Sequence, residues 1–169
     1  MDLKIINPQQ DRCSRTTASQ VIRLFKKQED KNMVNSWPGQ VDEIIKKMHS
    51  GQIRLAVLGG KIVGCVAVKE YLVAGWARIS WPFILQSCRY IGIENELIWD
   101  LCQDYHKSFR LIMPVRAPIN QLTLDQLGFR TSSFAWLRRT SSLAWQETCV
   151  CHSTMSCPRA DNECLLLIR

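Results

Sequence analysis

The segment "CRYIGIENEL", residues Cys88 to Leu97, decides how the rest of the sequence is interpreted. A basic residue, Arg89, precedes Gly92 by three positions, and apolar residues then recur at helical spacing. The amino terminus of a helix offers unpaired N–H groups to an anion, and a glycine lets the backbone approach a phosphate closely. The segment therefore predicts a phosphate-binding turn, although Glu94 stands where a small neutral residue would suit a phosphate better. The alternative is a solvated arginine before an ordinary helix start, with the glycine present for packing.

The composition is typical of one soluble domain with an anionic partner. The chain has 169 residues, 46% of them apolar and 22% charged, enough to bury a full core. Its formal net charge of +7 would attract a phosphate-bearing cofactor or a nucleic acid. We find neither a secretory signal pattern nor an apolar run near the roughly 20 residues of a membrane-spanning helix. We therefore expect a cytoplasmic protein that does not enter a membrane, with its eight cysteines mostly reduced.

Hydrophobic periodicity in the first half predicts a strand, two helices and a hairpin. After the strand "LKII", apolar residues recur at i, i+3, i+4 and i+7 from Ala18 and again from Val41, which is one face of a helix each time. Two runs rich in Val and Ile flank Gly59-Gly60 and predict a β-hairpin. Apolar residues on both faces of these runs indicate a covered sheet.

The second half adds strands and helices that complete an α/β fold. "WARISWPFILQ" and "FRLIMPVRAP" predict two strands, joined by a helix from Ile93 to Tyr105. A short helix closed by Gly128, a strand in "FRTSSFAWL" and a last strand in "CLLLIR" follow. The whole order predicts a mixed sheet with helices on its faces.

Two prolines indicate a gap between neighbouring strands. Pro82 and Pro114 lie in strands joined by a helical crossover, which should be parallel neighbours. Proline cannot donate to a sheet ladder, so the two strands could separate at one end and accept an extended ligand as a pseudo-strand. The alternative is that either proline lies at an ordinary bulge or strand end.

This layout resembles the GNAT superfamily of N-acyltransferases over residues 1 to 136, with the last strand at 164 to 168. The most specific element is "ILQSCRYIGIENELI", and a second is "NQLTLDQLGF", which is similar to the short family helix that ends in Leu-Gly-Phe. The positions that match the first element are the strand end Ile84-Leu85, the turn residues Arg89 and Gly92, and the apolar pair Leu97-Ile98. The resemblance implies one domain, 1–169, with strands splayed around 77–86 and 109–116 and the segment 149–164 as a loop or hairpin.

The resemblance also implies an activity and a site. Acetyl-CoA, or another acyl-CoA, would lie in the splay as co-substrate, and an amine of a small molecule or a protein would accept the acyl group by direct transfer. No metal is expected. The implied contacts to the acyl-CoA are Ile84, Leu85, Gln86, Arg89, Tyr90, Ile91, Gly92, Ile93 and Asn120.

Three positions depart from the family pattern and keep an alternative open. Glu94 replaces a small residue, Leu124 stands where a general-acid tyrosine is common, and "WARISWPF" contains no acidic residue to act as a base. Glu70 is the nearest candidate base and Tyr90 a candidate acid. The alternative is a catalytically degenerate GNAT-like binding module.

Two further segments carry weaker functional signals. Cysteines and His152 are dense between Cys149 and Cys164, but their spacing matches no familiar zinc site, so a long turn is the simpler interpretation. Arginines interleave with aromatic residues in "FRTSSFAWLRRTSSLAW", a pattern that can bind single-stranded nucleic acid but also occurs on half-buried strands. The acceptor and the oligomeric state cannot be predicted from these patterns.

Overall fold

The computed structural model describes most of the chain, and its residues group into two compact units. It describes residues 2–9, 15–27, 41–80, 82–89, 91–105, 107–115, 125–132, 136, 139–141 and 165–168. The first unit comprises Met1–Ala67 with Pro82–Leu101, and the second comprises Val68–Trp81 with Cys102–Arg169. Each unit is described by itself, and a single domain over 1–169 remains a prediction.

The elements follow the predicted order, apart from the predicted short helix before Gly128, most of which lies outside the described residues. In chain order they are β1 (Leu3–Ile6), α1 (Arg15–Lys27), α2 (Val41–His49), β2 (Ile53–Leu58), β3 (Lys61–Tyr71), β4 (Trp76–Ile79), β5 (Phe83–Ile84), α3 (Ile93–Tyr105), β6 (Arg110–Val115), β7 (Arg130–Ser132) and β8 (Leu165–Ile168). None of the described helices is long and apolar enough to cross a bilayer.

The first unit is built around the predicted apolar faces of α1 and α2. Both helices pack on the inward face of β2 and β3. Helix α2 has acidic residues in its first turn and basic residues in its last turn, which is favourable for the helix dipole. In this unit β2 lies between β1 and β3, and β5 pairs with β3, all antiparallel. The buried members of this core are Ala18, Val21, Ile44, Met48, Ile53, Leu55, Cys65 and Ala67.

The second unit is a mixed sheet with strand order β3-β4-β6-β8-β7. The pair β4–β6 is parallel, and the other pairs are antiparallel. Antiparallel and parallel pairs together with flanking helices confirm the predicted α/β class. The last strand in "CLLLIR" is also confirmed, because β8 pairs with β6 on one side and β7 on the other.

The strand predicted in "WARISWPFILQ" is interrupted, and the reason is the proline. Strand β4 ends at Ile79 and β5 begins at Phe83, with Pro82 buried in the break. In the second unit Val68 of β3 pairs with Ile79, and in the first unit Cys65 of β3 pairs with Phe83. Proline cannot donate to a sheet ladder, which accounts for the end of the first strand before Pro82.

The two proline-bearing strands separate as predicted. Their parallel pairing runs from Trp76 and Arg110 only as far as Arg78 and Ile112. Beyond these residues β6 continues beside β8, and β5 pairs with β3 instead.

The strand predicted in "FRTSSFAWL" is shorter than expected. Strand β7 covers Arg130–Ser132 only, and Trp136 has helical backbone. Each residue of β7 pairs with β8, and residues 133–135 lie outside the described part of the chain.

Candidate functional site

The predicted site begins where β5 leaves the sheet of the first unit. Ile84 pairs with Gly64, and the N–H of Leu85 donates to the carbonyl of Val63 at 2.8 Å. One turn of 3₁₀ helix, Gln86–Cys88, follows and is closed by the N–H of Cys88 on the carbonyl of Leu85 at 2.8 Å. The chain therefore turns away from β5 within three residues and runs towards α3.

Gly92 forms the start of α3. Its φ of +83° is in the left-handed region that glycine tolerates best, and its carbonyl accepts the N–H groups of Asn95 and Glu96 at 3.1 and 3.3 Å. The first N–H groups of a helix have no acceptor within the helix, which here includes those of Ile93 and Glu94. Among the described residues, a Cβ at Gly92 would meet no atom within 4 Å. Open space beside N–H groups that have no acceptor within the helix fits a phosphate group at this position.

The charges around the turn have both signs. Arg89 is exposed, with extended backbone just before the turn, whereas Glu94 lies in the first turn of α3 and is partly buried. A carboxylate stabilises the start of a helix, but it also competes with any other anion for the same donors. Glu96 lies in the same first turn and is exposed. The turn therefore fits an anionic ligand, with Glu94 acting against it.

Gly64 permits the close approach of β5 to β3. The sequence analysis did not predict this contact. A Cβ at Gly64 would lie 2.5 Å from Cδ1 of Ile84 and 2.9 Å from the carbonyl oxygen of Phe83. Only glycine fits at such distances without a shift of β5. The signal in the sequence is a single glycine inside an apolar strand, which indicates a close backbone contact without naming the partner.

Cys65 of β3 pairs with Phe83 of β5. Its full burial raises the pKa of the thiol, so Cys65 remains protonated and behaves as a small apolar residue. Cys88, in the 3₁₀ turn, is partly exposed, and Cys102 on α3 is buried. Cys65 therefore serves the core.

The candidate base lies in the second unit. Glu70 is on β3, opposite Ala77 of β4, and its Oε1 accepts a hydrogen bond from the hydroxyl of Tyr105 at 2.9 Å. Tyr105 is buried at the end of α3, a position that the sequence analysis identified only as the end of the helix. The hydrogen bond fixes the carboxylate of Glu70 on the side of its strand that faces α3.

The structure brings most of the predicted contacts into one continuous stretch. This stretch runs from β5 through the turn to the start of α3. Its described members are Ile84, Leu85, Gln86, Arg89, Ile91, Gly92 and Ile93. Tyr90 and Asn120 lie outside the described residues, as do Leu124 and the segment 149–164. Among the described residues, no group of three or more His, Cys, Asp or Glu side chains could hold a metal ion.

Solved structures of N-acetyltransferases share this arrangement of elements. N-acetylglutamate synthase from Neisseria gonorrhoeae, complexed with coenzyme A and N-acetyl-glutamate, matches with a TM-score of 0.66 and 13% identity over 100% of this chain and 35% of that chain. PaiA N-acetyltransferase from Thermoplasma acidophilum, in complex with coenzyme A, matches with a TM-score of 0.61 and 9% identity over 100% and 99%. Ribosomal-protein-alanine N-acetyltransferase from Brucella melitensis matches with a TM-score of 0.63 and 11% identity over 98% of each chain.

These similarities define the fold of the chain. It has the GNAT fold of the N-acetyltransferases, as the sequence resemblance implied. The chain spans about a third of the length of the gonococcal synthase. By sequence, no family model and no curated protein matches it.

Proposed function

We propose that the chain is an acyl-CoA-dependent N-acyltransferase that acts in the cytoplasm on an amine of a small molecule or a protein. The observation that carries the proposal is the turn from β5 to α3. There Gly92 has a positive φ and, among the described residues, open space beside N–H groups that have no acceptor within the helix. Two of the N-acetyltransferases with this fold were crystallised with coenzyme A, which supports the same ligand class here.

The residues of the turn would hold the acyl donor. Backbone groups of Ile84 to Gln86 would pair with its extended arm, and the N–H groups of Gly92 and Ile93, with Arg89, would bind its phosphates. Tyr90 and Asn120 are the remaining proposed contacts. When bound, acyl-CoA supplies an activated thioester carbonyl that a neutral amine can attack.

Glu70 is the proposed base. Substitution of Glu70 and, separately, of its hydrogen-bond partner Tyr105 tests this role. A base must remove a proton from the attacking amine, and a carboxylate held by a phenol hydroxyl at 2.9 Å has a fixed orientation. If Glu70 takes this proton, Glu70→Gln lowers kcat strongly, while Tyr105→Phe, which keeps the carboxylate, lowers it less. Equal kcat values in both variants and the wild type would assign the pair to stability alone. Tyr90 stays the proposed acid, to be tested by Tyr90→Phe.

A catalytically degenerate binding module is the second candidate, and Glu94 favours it. Glu94 is partly buried and lies in the first turn of α3, at whose start the phosphates would bind. A repulsion of ~1.4 kcal/mol would weaken binding tenfold. Such a protein would bind acyl-CoA poorly or bind another ligand without transfer.

Calorimetry with acetyl-CoA separates these candidates. We would compare the wild type with Glu94→Ala and with the matched control Glu96→Ala, which removes the same charge from the same helical turn. The two side chains point about 200° apart around the helix, so only Glu94→Ala should tighten binding strongly. Micromolar binding by the wild type supports the transferase. Binding by Glu94→Ala but not by the wild type supports the binding module, with Glu94 blocking the acyl-CoA site. If neither the wild type nor Glu94→Ala binds acetyl-CoA, the proposal is overturned.

A further inference from the structure

Glu70 lies one residue before the end of β3 in the second unit, on an apolar face of the sheet. It is opposite Ala77 of β4, and Ala77 in turn pairs in register with Leu111 of β6. Residues opposite each other on paired strands point to the same face, so these three side chains lie side by side. Ala77 and Leu111 are fully buried, whereas Glu70 is only partly buried. The carboxylate therefore lies at the boundary between an apolar surface and the solvent.

Two aromatic rings belong to the same part of the second unit. The hydroxyl of Tyr105 donates to Oε1 of Glu70 at 2.9 Å, and the ring centre of Phe109 lies 6.0 Å from that of Tyr105. The N–H of Phe109 also donates to the carbonyl of Tyr105 at 3.0 Å, so the turn after α3 keeps the two rings together. Tyr105 is buried and Phe109 is partly exposed. We call Glu70, Tyr105 and Phe109 the acid–aromatic cluster.

The cluster carries a negative charge that pairs with no cation in the described part of the chain. Among the described residues, the side chain of Glu70 forms no ion pair, and its one hydrogen bond is the one from Tyr105. A carboxylate offers about four lone-pair positions, of which this hydrogen bond fills one. Aromatic rings and a carboxylate both attract positive charge. The chemistry of the cluster therefore fits a cationic ligand.

The cation that fits the cluster best is an organic ammonium group. A calcium ion takes about six to eight oxygen ligands, far more than one carboxylate supplies. An ammonium group needs few acceptors, and the apolar part of the same molecule can contact the exposed side of the Phe109 ring. A second carboxylate on that molecule would be repelled by Glu70, because like charges a few ångströms apart destabilise each other.

We propose that the acid–aromatic cluster binds the ammonium group of the amine acceptor, which makes the acceptor a primary amine on an apolar body without a carboxylate beside the nitrogen. The assignment rests on the proposed transferase function, since it names the acceptor of that reaction. Glu70 is also the proposed base, so the nitrogen held at its carboxylate is the one whose proton Glu70 removes. A phenylalkylamine and the side chain of a lysine share this chemistry.

Calorimetry with phenethylamine tests the proposal, and L-phenylalanine is the comparator because it adds a carboxylate beside the same nitrogen. We expect L-phenylalanine to bind at least about tenfold more weakly. Glu70→Gln should weaken phenethylamine binding about tenfold or more, and Phe109→Leu about threefold. The matched control is Asp104→Asn, which removes an exposed acid next to Tyr105 and should leave binding unchanged. Thermal melting of every variant confirms that it is folded.

Acetyl-CoA and a lysine derivative blocked at its α-amino and carboxyl groups serve as further probes. Phenethylamine binding that weakens in Glu70→Gln and Phe109→Leu but not in Asp104→Asn supports the proposal. Tighter binding of the lysine derivative, lost in the same variants, supports it with a protein amine as the ligand. If acetyl-CoA fails to bind while either pattern persists, the ammonium site stands and the transferase function falls.

Three results would overturn the ammonium site. The first is an equal loss of phenethylamine binding in Asp104→Asn, which would indicate a general attraction between opposite charges. The second is L-phenylalanine binding as tightly as phenethylamine. The third is that neither phenethylamine nor the lysine derivative binds at ~10 mM, with or without acetyl-CoA, which would leave Glu70 and Tyr105 as a structural pair.

Discussion

Arg54 of β2 is 1% exposed and donates from Nε to Oδ2 of Asp100 on α3 at 2.6 Å. Its Nη1 also donates to the carbonyl oxygens of Gly51 and Ile53, at 2.8 and 3.1 Å. A buried guanidinium with several acceptors is held in one orientation. The pair therefore fastens α3, whose first turn forms the candidate site, to the hairpin strand β2.

Removing the carboxylate of Asp100 should destabilise the first unit. Breaking a buried ion pair costs about 3 to 5 kcal/mol. Since the side chain of Asp100 is 43% exposed, we expect Asp100→Ala to lower the free energy of unfolding by about 2 to 4 kcal/mol. Urea denaturation measures this. The control Glu96→Ala removes an exposed acid from the same helix and should cost below ~1 kcal/mol; equal losses in both variants would contradict the pair's role.

A methyl group at Gly64 should displace β5. Gly64→Ala places a carbon 2.5 Å from Cδ1 of Ile84, and overpacking of this kind costs about 1 to 3 kcal/mol. Adding Ile84→Val removes that Cδ1 atom, so the double variant should recover part of the loss. A double-mutant cycle by urea denaturation measures the coupling. Additive effects of the two substitutions would mean that the contact between residue 64 and Ile84 does not cause the loss of stability.

Gly92→Ala should reduce both stability and acyl-CoA binding. An L-residue in the left-handed region costs roughly 1 to 2 kcal/mol. The matched control is Gly75→Ala, because Gly75 has φ +66° and open space around its Cβ position too. We expect similar losses of stability in urea, but a loss of acetyl-CoA binding, about tenfold or more, only in Gly92→Ala. Equal binding by the two variants would separate Gly92 from the phosphate site.

Burial of Cys65 should make the protein less stable in alkaline solution. Burial raises the pKa of the folded thiol, so the fold favours the protonated form. This contribution is complete below the pKa of the unfolded thiol, about 8.5, and is lost as the pH rises above it, by up to ~1.4 kcal/mol per pH unit. Unfolding free energies between pH 8 and 10 should fall less steeply in Cys65→Ala than in Cys88→Ala. Parallel slopes would contradict this assignment.

The sequence predicted the elements and the location of the turn, because both depend on local patterns. Apolar spacing located α1, α2 and α3, and the glycine of the turn has the positive φ that such a position requires. The sequence predicted the break at Pro82 only as an alternative to a continuous strand. Proline lacks a backbone N–H donor, but this alone does not show at which residue the strand pairing ends.

Contacts between distant residues could not be predicted. Arg54 precedes Asp100 by 46 positions, and nothing local to "QIRLAVL" distinguishes a buried arginine from a solvated one. The partner of Glu70 is likewise a tyrosine that the sequence analysis identified only as the end of a helix. The pairing of Lys69 with Arg78 across β3 and β4 depends on strand register, which is not visible in either strand alone.

The position of β8 has a consequence for how the chain folds during synthesis. This strand follows β6 and β7 in the sequence, yet it pairs with both of them. When β6 and β7 have left the ribosome, β8, which pairs with both, has not yet been synthesised. Its pairing with β6 must then close a loop of about 50 residues, which is slow because of the entropy that the chain loses. The edges of β6 and β7 stay open during that interval, and open edges invite aggregation. Nascent chains halted before residue 165 should therefore depend on chaperones more than the completed protein does.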